Sequence, residues 1–218
     1  MNGANRPDFS SYIQEKHGID QELINGILYF DRYNRVLHHP YYSGEKSLPG
    51  SIVLSGISYD EVQFNYDIHS QYLVLDYEAV SGSLYKIILS PAHTDAFHLD
   101  GEYFEKLSLD DHGPLFYQVI RVNGLTCYIH WEKKIISMSY QFEDYFTDPQ
   151  KSYFLDYHGK LSPFTNRKNF VSLFSGDPKK EIRRYMWKNE VQLSEATPKQ
   201  LEDLLKFISS RVQSTSGN

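Results

Sequence analysis

The stretch VQFNYDI at residues 62–68, followed by YLVLDY at residues 72–77, decides the fold of this chain. Apolar and polar residues alternate along the first stretch, which is the pattern of a half-buried strand. A two-residue turn at His69-Ser70 would place every apolar residue opposite an apolar partner on one face, so the register is well specified. The predicted pairs are Tyr66 with Leu73, Phe64 with Leu75, and Val62 with Tyr77.

The next connection extends this hairpin into a meander. The sequence Val80-Ser81-Gly82 predicts a three-residue loop with glycine at the left-handed position. The apolar face then continues across a third strand. The predicted pairs are Tyr77 with Tyr85, Leu75 with Ile87, and Leu73 with Leu89.

Asn123-Gly124 is the strongest turn signal in the chain, because a type I′ turn needs positive φ at both central residues. It predicts a hairpin that pairs Ile120 with Cys127 and Gln118 with Ile129. Asp100-Gly101 and His158-Gly159 predict two further tight turns.

Near the C-terminus, the spacing of the apolar residues changes from the two-residue period of strands to the period of helices. Asp177-Pro178 predicts a helix start with the carboxylate as N-cap, and Thr197–Gln200 has the spacing of a capping box. A shorter helix is expected over 166–174, with Gly176 as its stop.

These patterns predict a mainly β, α+β fold: an antiparallel meander forms a curled open sheet or half-barrel, packed by two or three C-terminal helices. The expected segments are a partly helical N-terminal segment at 1–25, the sheet domain at 26–164, the helices at 165–212 and a disordered tail at 213–218.

Composition narrows the function classes. No apolar run approaches the roughly 20 residues of a membrane-spanning helix, although peripheral membrane association stays open. Residues 1–159 hold 11 Lys/Arg and 22 Asp/Glu, whereas residues 160–188 hold 8 and 2. The acidic remainder would repel a polyanion, so no nucleic acid is expected as a partner. Cys127 stands alone and is expected to be buried.

The N-terminal sequence MNGANRPDFSSY lacks the basic and apolar regions of a secretory signal. Two interpretations stay open: a cytoplasmic protein, or a mature form whose signal was replaced by a start methionine.

No catalytic motif stands out, and the sequence predicts no catalytic residue, no metal site and no cofactor. His93 and His98, with Asp95 and Asp100 nearby, resemble a metal site at first. However, an odd separation places the two histidines on opposite faces of a strand, and no pair completes a zinc shell.

Two segments are candidates for partner binding. The first is His38, His39, Tyr41 and Tyr42, which we expect in an exposed loop that either holds a partner or braces the loop against the sheet. The second is Lys179, Lys180, Arg183 and Arg184 on the helix predicted at 178–188, which fits either a docking surface for an acidic protein or an ordinary solvated face.

Several stretches together carry a resemblance to a known group. They are Ser55–Tyr59, Phe64–Asp67, Leu73–Leu75, Phe97–Leu99, Asp100–Phe104, Phe170–Phe174 and Lys179–Tyr185. The chain resembles uncharacterised, usually exported β-rich proteins of Bacteroidetes-type bacteria over roughly residues 25–210. The resemblance implies a periplasmic, outer-membrane-associated or extracellular location and a removed signal peptide, and it transfers no activity.

Three hypotheses follow. The first is a non-enzymatic cell-envelope binding or assembly subunit that presents an aromatic surface to a protein or glycan partner. The second is a hydrolase whose site is built from histidines and aspartates, among them Asp67 and His69, in the sheet concavity. The third is a cytoplasmic interaction module that uses the basic helix.

Overall fold

The computed structural model describes residues 26–78, 82–111, 113–137 and 143–213. Within these ranges, 11 strands form a large antiparallel sheet that is not closed into a barrel, and 3 short strands form a small sheet. Three helices follow the strands. The predicted fold class is therefore confirmed, while the predicted segment 1–25 and residues 214–218 of the predicted tail lie outside the described residues.

The chain divides into two compact units, residues 1–116 with 132–149 and residues 117–131 with 150–218. In the large sheet, the strands of the first unit follow the order β1-β6-β5-β4-β3-β7-β8, and its small sheet has the order β11-β12-β2. Their bounds are β1 (Ile27–Leu28), β2 (Val36–Leu37), β3 (Leu48–Leu54), β4 (Ile57–Asp67), β5 (Tyr72–Glu78), β6 (Leu84–Ile88), β7 (Thr94–Leu99), β8 (Glu102–Leu107), β11 (Ile135–Ser137) and β12 (Asp144–Phe146).

The meander has the predicted register. Its confirmed pairs are Phe64 with Leu75, Tyr66 with Leu73, Leu75 with Ile87, and Tyr77 with Tyr85. The first turn is wider than predicted, because Asp67 pairs with Tyr72 and leaves a four-residue loop at 68–71. Gln71 closes this loop with φ of 59° and donates its amide hydrogen to the Asp67 carbonyl at 2.8 Å. The loop predicted at Val80-Ser81-Gly82 falls mostly outside the described residues.

Rings from neighbouring strands form the core of the first unit. Phe97 stacks on Phe104 with ring centroids 4.6 Å apart, and Tyr66 meets Phe97 edge-on at 5.1 Å. All three side chains are fully buried. Gly50 on β3 makes room for this packing, since a Cβ there would lie 2.1 Å from the His98 carbonyl oxygen.

The opposite face of β4 is covered too, which the alternating pattern did not predict. Asn65 and Asp67 point away from the aromatic core, yet they are buried. The loop at residues 38–47 covers them. Asn65 Nδ2 donates to the Glu45 carbonyl at 3.1 Å, and the backbone of Tyr41 forms an isolated antiparallel β-bridge with that of Asp67. At these two residues the strand is therefore buried on both faces.

The second unit contains most of β9 (Leu115–Val122) and β10 (Leu125–Glu132), together with β13 (Gln150–Tyr157) and β14 (Lys160–Phe164). Asn123 and Gly124 have φ of 44° and 83°, as a type I′ turn requires. The predicted pairs Ile120 with Cys127 and Gln118 with Ile129 are confirmed. Cys127 is buried as predicted, and burial raises the pKa of its thiol to about 12, so it is a packing residue.

Three helices complete this unit: α1 (Arg167–Ser172), α2 (Gly176–Lys188) and α3 (Pro198–Gln213). The capping box at α3 is confirmed, because Gln200 Oε1 accepts from the Thr197 amide at 2.9 Å and Thr197 Oγ1 accepts from the Gln200 amide at 3.2 Å.

The predicted start of α2 was wrong by two residues. Ser175 is the N-cap, and Gly176 begins this helix rather than stopping the one before it. Asp177 lies in the first turn, where its carboxylate binds the Lys180 ammonium at 3.1 Å instead of capping.

Candidate functional site

A cavity of about 440 Å³ lies in the first unit, where the loop at 38–47 approaches the small sheet. Its wall is formed on one side by His38, His39 and Tyr42–Gly44, and on the other side by Lys133 and Tyr145–Pro149. The volume falls within the range of small-molecule sites in proteins. The wall of this cavity contains aromatic rings, hydroxyl groups, imidazoles, an ammonium and a carboxylate.

Lys133 is the central cation of this cavity, and only 7% of its surface is exposed. Its ammonium donates a hydrogen bond to the His39 carbonyl at 2.8 Å and lies 3.4 Å from Nδ1 of the same residue. Burial lowers the pKa of Lys133, and the negative charges of Asp148 and Asp67 oppose that shift. Burial also lowers the pKa of His39, and the Lys133 charge adds to the effect.

Asp67 lies behind this wall and is fully buried. Its Oδ1 accepts from the amides of His69 at 2.9 Å and Ser70 at 2.7 Å, so the carboxylate shapes the four-residue loop. Oδ2 is buried without a hydrogen-bond partner among the described residues. Burial therefore raises the pKa of Asp67, although the two amides offset part of the shift.

His69 has a fixed orientation beside this loop. Its Nδ1 lies 2.9 Å from the Lys133 carbonyl oxygen, and because a carbonyl only accepts, Nδ1 carries the proton. The ring meets Tyr33 and Phe146 edge-on at 5.6 and 5.4 Å. These contacts lock the imidazole between the loop and the small sheet.

The predicted partner-binding loop is only partly exposed, which corrects the expectation from sequence. Tyr41 is 8% exposed, its hydroxyl donates to the Tyr29 hydroxyl at 3.2 Å, and burial raises its pKa. Tyr42 is half-buried, packs edge-on against Phe104 at 5.2 Å and lines the cavity. His38, with φ of 65°, is exposed. Tyr41 thus braces the loop, while its neighbours face the cavity.

His93 and His98 lie apart from this cavity. Nδ1 of His93 is 3.3 Å from the Ser55 hydroxyl, but the Asp95 carboxylate accepts from the Gly56 amide at 2.8 Å rather than orienting the imidazole. The His98 ring packs on Tyr103 at 4.7 Å. In the described part of the chain, no group of three or more His, Cys, Asp or Glu side chains is arranged to hold a metal ion.

The basic residues predicted to bind a partner lie in the second unit. Lys180, Arg183 and Arg184 are exposed and Lys179 is partly exposed, all on α2. They do not take part in the cavity of the first unit.

Sequence reasoning missed Lys133, although the chain carries a signal for it. Every odd-numbered residue from Leu125 to Trp131 is buried, and Lys133 occupies the next position of that alternation. A lysine that continues a buried period is a candidate for a functional cation. Tyr145 and Asp148 had no such signal, since Tyr145 lies within the three-residue strand β12 and Asp148 follows it.

The comparisons with known proteins returned no match to any family model, curated protein or solved structure. The resemblance to exported β-rich proteins therefore stays a prediction. In the described ranges, each helix is too short or too polar to span a lipid bilayer.

Proposed function

We propose that this protein is a non-enzymatic binding subunit of the cell envelope, and that the cavity beside Lys133 holds a glycan. One observation carries the proposal: ring-bearing walls and groups that donate or accept hydrogen bonds line the same concave surface. Sugars present apolar CH faces and many hydroxyl groups, so such a mixed wall complements them.

The polar groups are placed to fix an orientation. Lys133 supplies a donor from one side, and the half-exposed His39 adds an imidazole beside it. Asp148 is exposed at the wall and supplies a charged acceptor. Hydrogen bonds to charged groups are stronger than neutral ones, so these groups would select among sugars.

In this proposal, the aromatic surface that contacts the partner is the wall of the cavity and not an open patch elsewhere on the sheet. Tyr42 and Tyr145 contribute half-buried rings, and Phe146 is buried behind them. A larger envelope assembly would use the same surface if its partner carries the sugar. The envelope location itself rests on the resemblance of the sequence, and cell fractionation of the native organism tests it separately.

The direct test is a glycan array probed with the full chain, followed by calorimetry on any sugar that binds. Asp148→Asn should weaken binding about tenfold, because it replaces a charged acceptor with a neutral one. Asp144→Asn is the matched control, since Asp144 is an exposed carboxylate on β12, near Asp148 in the chain, and does not line the cavity. Equal effects of the two variants, or an array without a binding sugar, would contradict the proposal.

A hydrolase is the second candidate, and the environment of Lys133 favours it. An ammonium with a lowered pKa next to an imidazole suits general acid–base chemistry. Nucleophilic catalysis has less support, since the hydroxyls of Ser43 and Thr147 form no hydrogen bond to a histidine among the described residues. Mass spectrometry of the bound sugar after incubation separates the candidates, because only a hydrolase releases fragments, and Lys133→Met should stop that release.

A further inference from the structure

The second unit has a groove of about 500 Å³ between α1 and α2. Four cationic side chains line it: Arg167 and Lys168 from α1, and Lys179 and Arg183 from α2. Val171 is buried at its floor with 3% exposure. The groove therefore combines a basic rim with an apolar floor.

Three of the four cations have no counter-charge in contact among the described residues. No carboxylate of a described residue lies within 4.0 Å of the side-chain nitrogens of Lys168, Lys179 or Arg183. Some other cations of the helices are paired, for example Arg211 with Glu181 at 3.1 Å. Unpaired like charges along one groove create a field that attracts anionic groups.

Arg167 is held in place rather than mobile in solvent. Its Nη2 donates to the Arg183 carbonyl at 2.7 Å, which ties α1 to α2 and fixes the guanidinium at the groove. A guanidinium fixed in this way loses less conformational entropy when it binds a carboxylate.

Trp187 extends the same surface. It is 73% exposed, although the other side of α2 buries Ile182 and Met186 completely. Lys179, Arg183 and Trp187 are spaced by four residues, so they form one stripe along the helix. Tryptophan and arginine are the residues most enriched in the energetic centres of protein interfaces.

We propose that this groove and its stripe bind an acidic segment of a partner protein, with carboxylates on the four cations and an apolar side chain near Trp187. Charge complementarity selects the acidic segment. Concavity favours a peptide over a membrane surface, because a lipid headgroup layer is met best by a convex helix face, whereas these cations line a depression between two helices. The proposal is independent of the cavity in the first unit.

The test begins with a displayed library of random short peptides selected on the full chain. Enriched sequences should combine Asp or Glu with an apolar residue. A dye-labelled enriched peptide then measures affinity by fluorescence anisotropy. The double variant Lys179→Glu with Arg183→Glu should weaken its binding more than about tenfold, and added salt should weaken it in the unmodified protein.

The matched control reverses two charges elsewhere on the same helix, with Arg184→Glu and Lys188→Glu. Neither residue lines the groove, so the loss should stay within about threefold despite the equal change in net charge. Trp187→Ala should also weaken binding. A selection without acidic enrichment overturns the proposal, as do equal losses in the two double variants. Binding to phosphatidylserine vesicles without peptide binding would overturn it in favour of a lipid surface.

Discussion

Two segments of this chain have a composition typical of binding surfaces, but they differ in how far the fold buries them. Residues 38–42 are rich in histidine and tyrosine, and the fold buries Tyr41 while leaving His38 exposed. The basic residues of α2 remain at the surface, where Arg183 and Arg184 are exposed. The difference arises from charge, because a tyrosine can be buried with its hydroxyl paired, whereas an unpaired guanidinium cannot.

The contrast separates two kinds of site. Burial shifts the pKa values of Tyr41 and His39 in the loop and of Lys133 beside it, so the contacts that stabilise the loop also line the proposed binding cavity. In the helix, the exposed cations should contribute little to stability, and under the proposal above they contribute to association. Variants at the first segment should therefore act on stability, and variants at the second on salt-dependent binding.

The largest effect is expected from Tyr41→Ala. Removing a buried ring together with its hydroxyl contact to Tyr29 should cost about 3–5 kcal/mol of unfolding free energy, measured by chemical denaturation. Tyr41→Phe is the control, since it keeps the ring and should cost about 0.5–1.5 kcal/mol. A cost below about 1 kcal/mol for the alanine variant would show that the loop is not anchored there.

Asp67→Asn should change how stability depends on pH. Because the folded pKa of Asp67 is raised, its contribution is fully present below the ordinary value of 3.8 and is lost as pH rises through the folded value. Asparagine keeps an acceptor for the His69 and Ser70 amides but does not titrate. The difference in unfolding free energy between the variant and the original should shift in favour of the variant as pH rises.

Denaturation at several pH values checks this prediction. A constant difference across that range would mean that the carboxylate has no raised pKa in the folded protein.

Lys133→Met should raise the pKa of His39 toward its ordinary value, because it removes a positive charge from beside the imidazole. An NMR titration of the His39 ring measures the shift. Lys134→Met provides the control, since Lys134 is exposed and pairs with Glu132 at 3.1 Å. The same shift in both variants would assign the effect to net charge instead of to the contact.

The smallest effect is expected from Lys179→Ala with Arg183→Ala. Unfolding free energy should change by less than about 0.5 kcal/mol, since no described carboxylate pairs with either side chain. Thermal denaturation at low and high salt measures it. A clear destabilisation would mean that these cations hold the helix pair together, and the comparison between the two segments would fail.

Much of the fold could be predicted from local pattern. Phe64 and Leu75 pair as expected because a single register buries all the alternating apolar residues, and Asn123-Gly124 forms its turn because few other residues accept positive φ twice. The short strands β2, β11 and β12 were not predicted individually. Strands of two or three residues carry no alternation that a sequence pattern can reveal.

The candidate site could be predicted only in part. His38, His39 and Tyr42 were selected for their residue types, and they do line a cavity. Lys133 and Asp148 were not selected, because the small sheet that brings them to the loop is built from distant residues. No sequence pattern indicates that Trp187 is exposed, since a tryptophan in a helix usually packs inward.

The sequence by itself determined which residues pair across the hairpins and where α3 is capped, because register, turn conformation and capping depend on residues close in the chain. Only the tertiary structure decided that Asn65 and Asp67 are buried, that Lys133 is desolvated beside His39, and that two short helices form a basic groove. Those outcomes depend on which distant segment covers a given face. The burial of these polar side chains depends on the whole folded chain. A local sequence pattern shows how apolar and polar residues alternate along a strand, but not which distant segment covers each face of that strand.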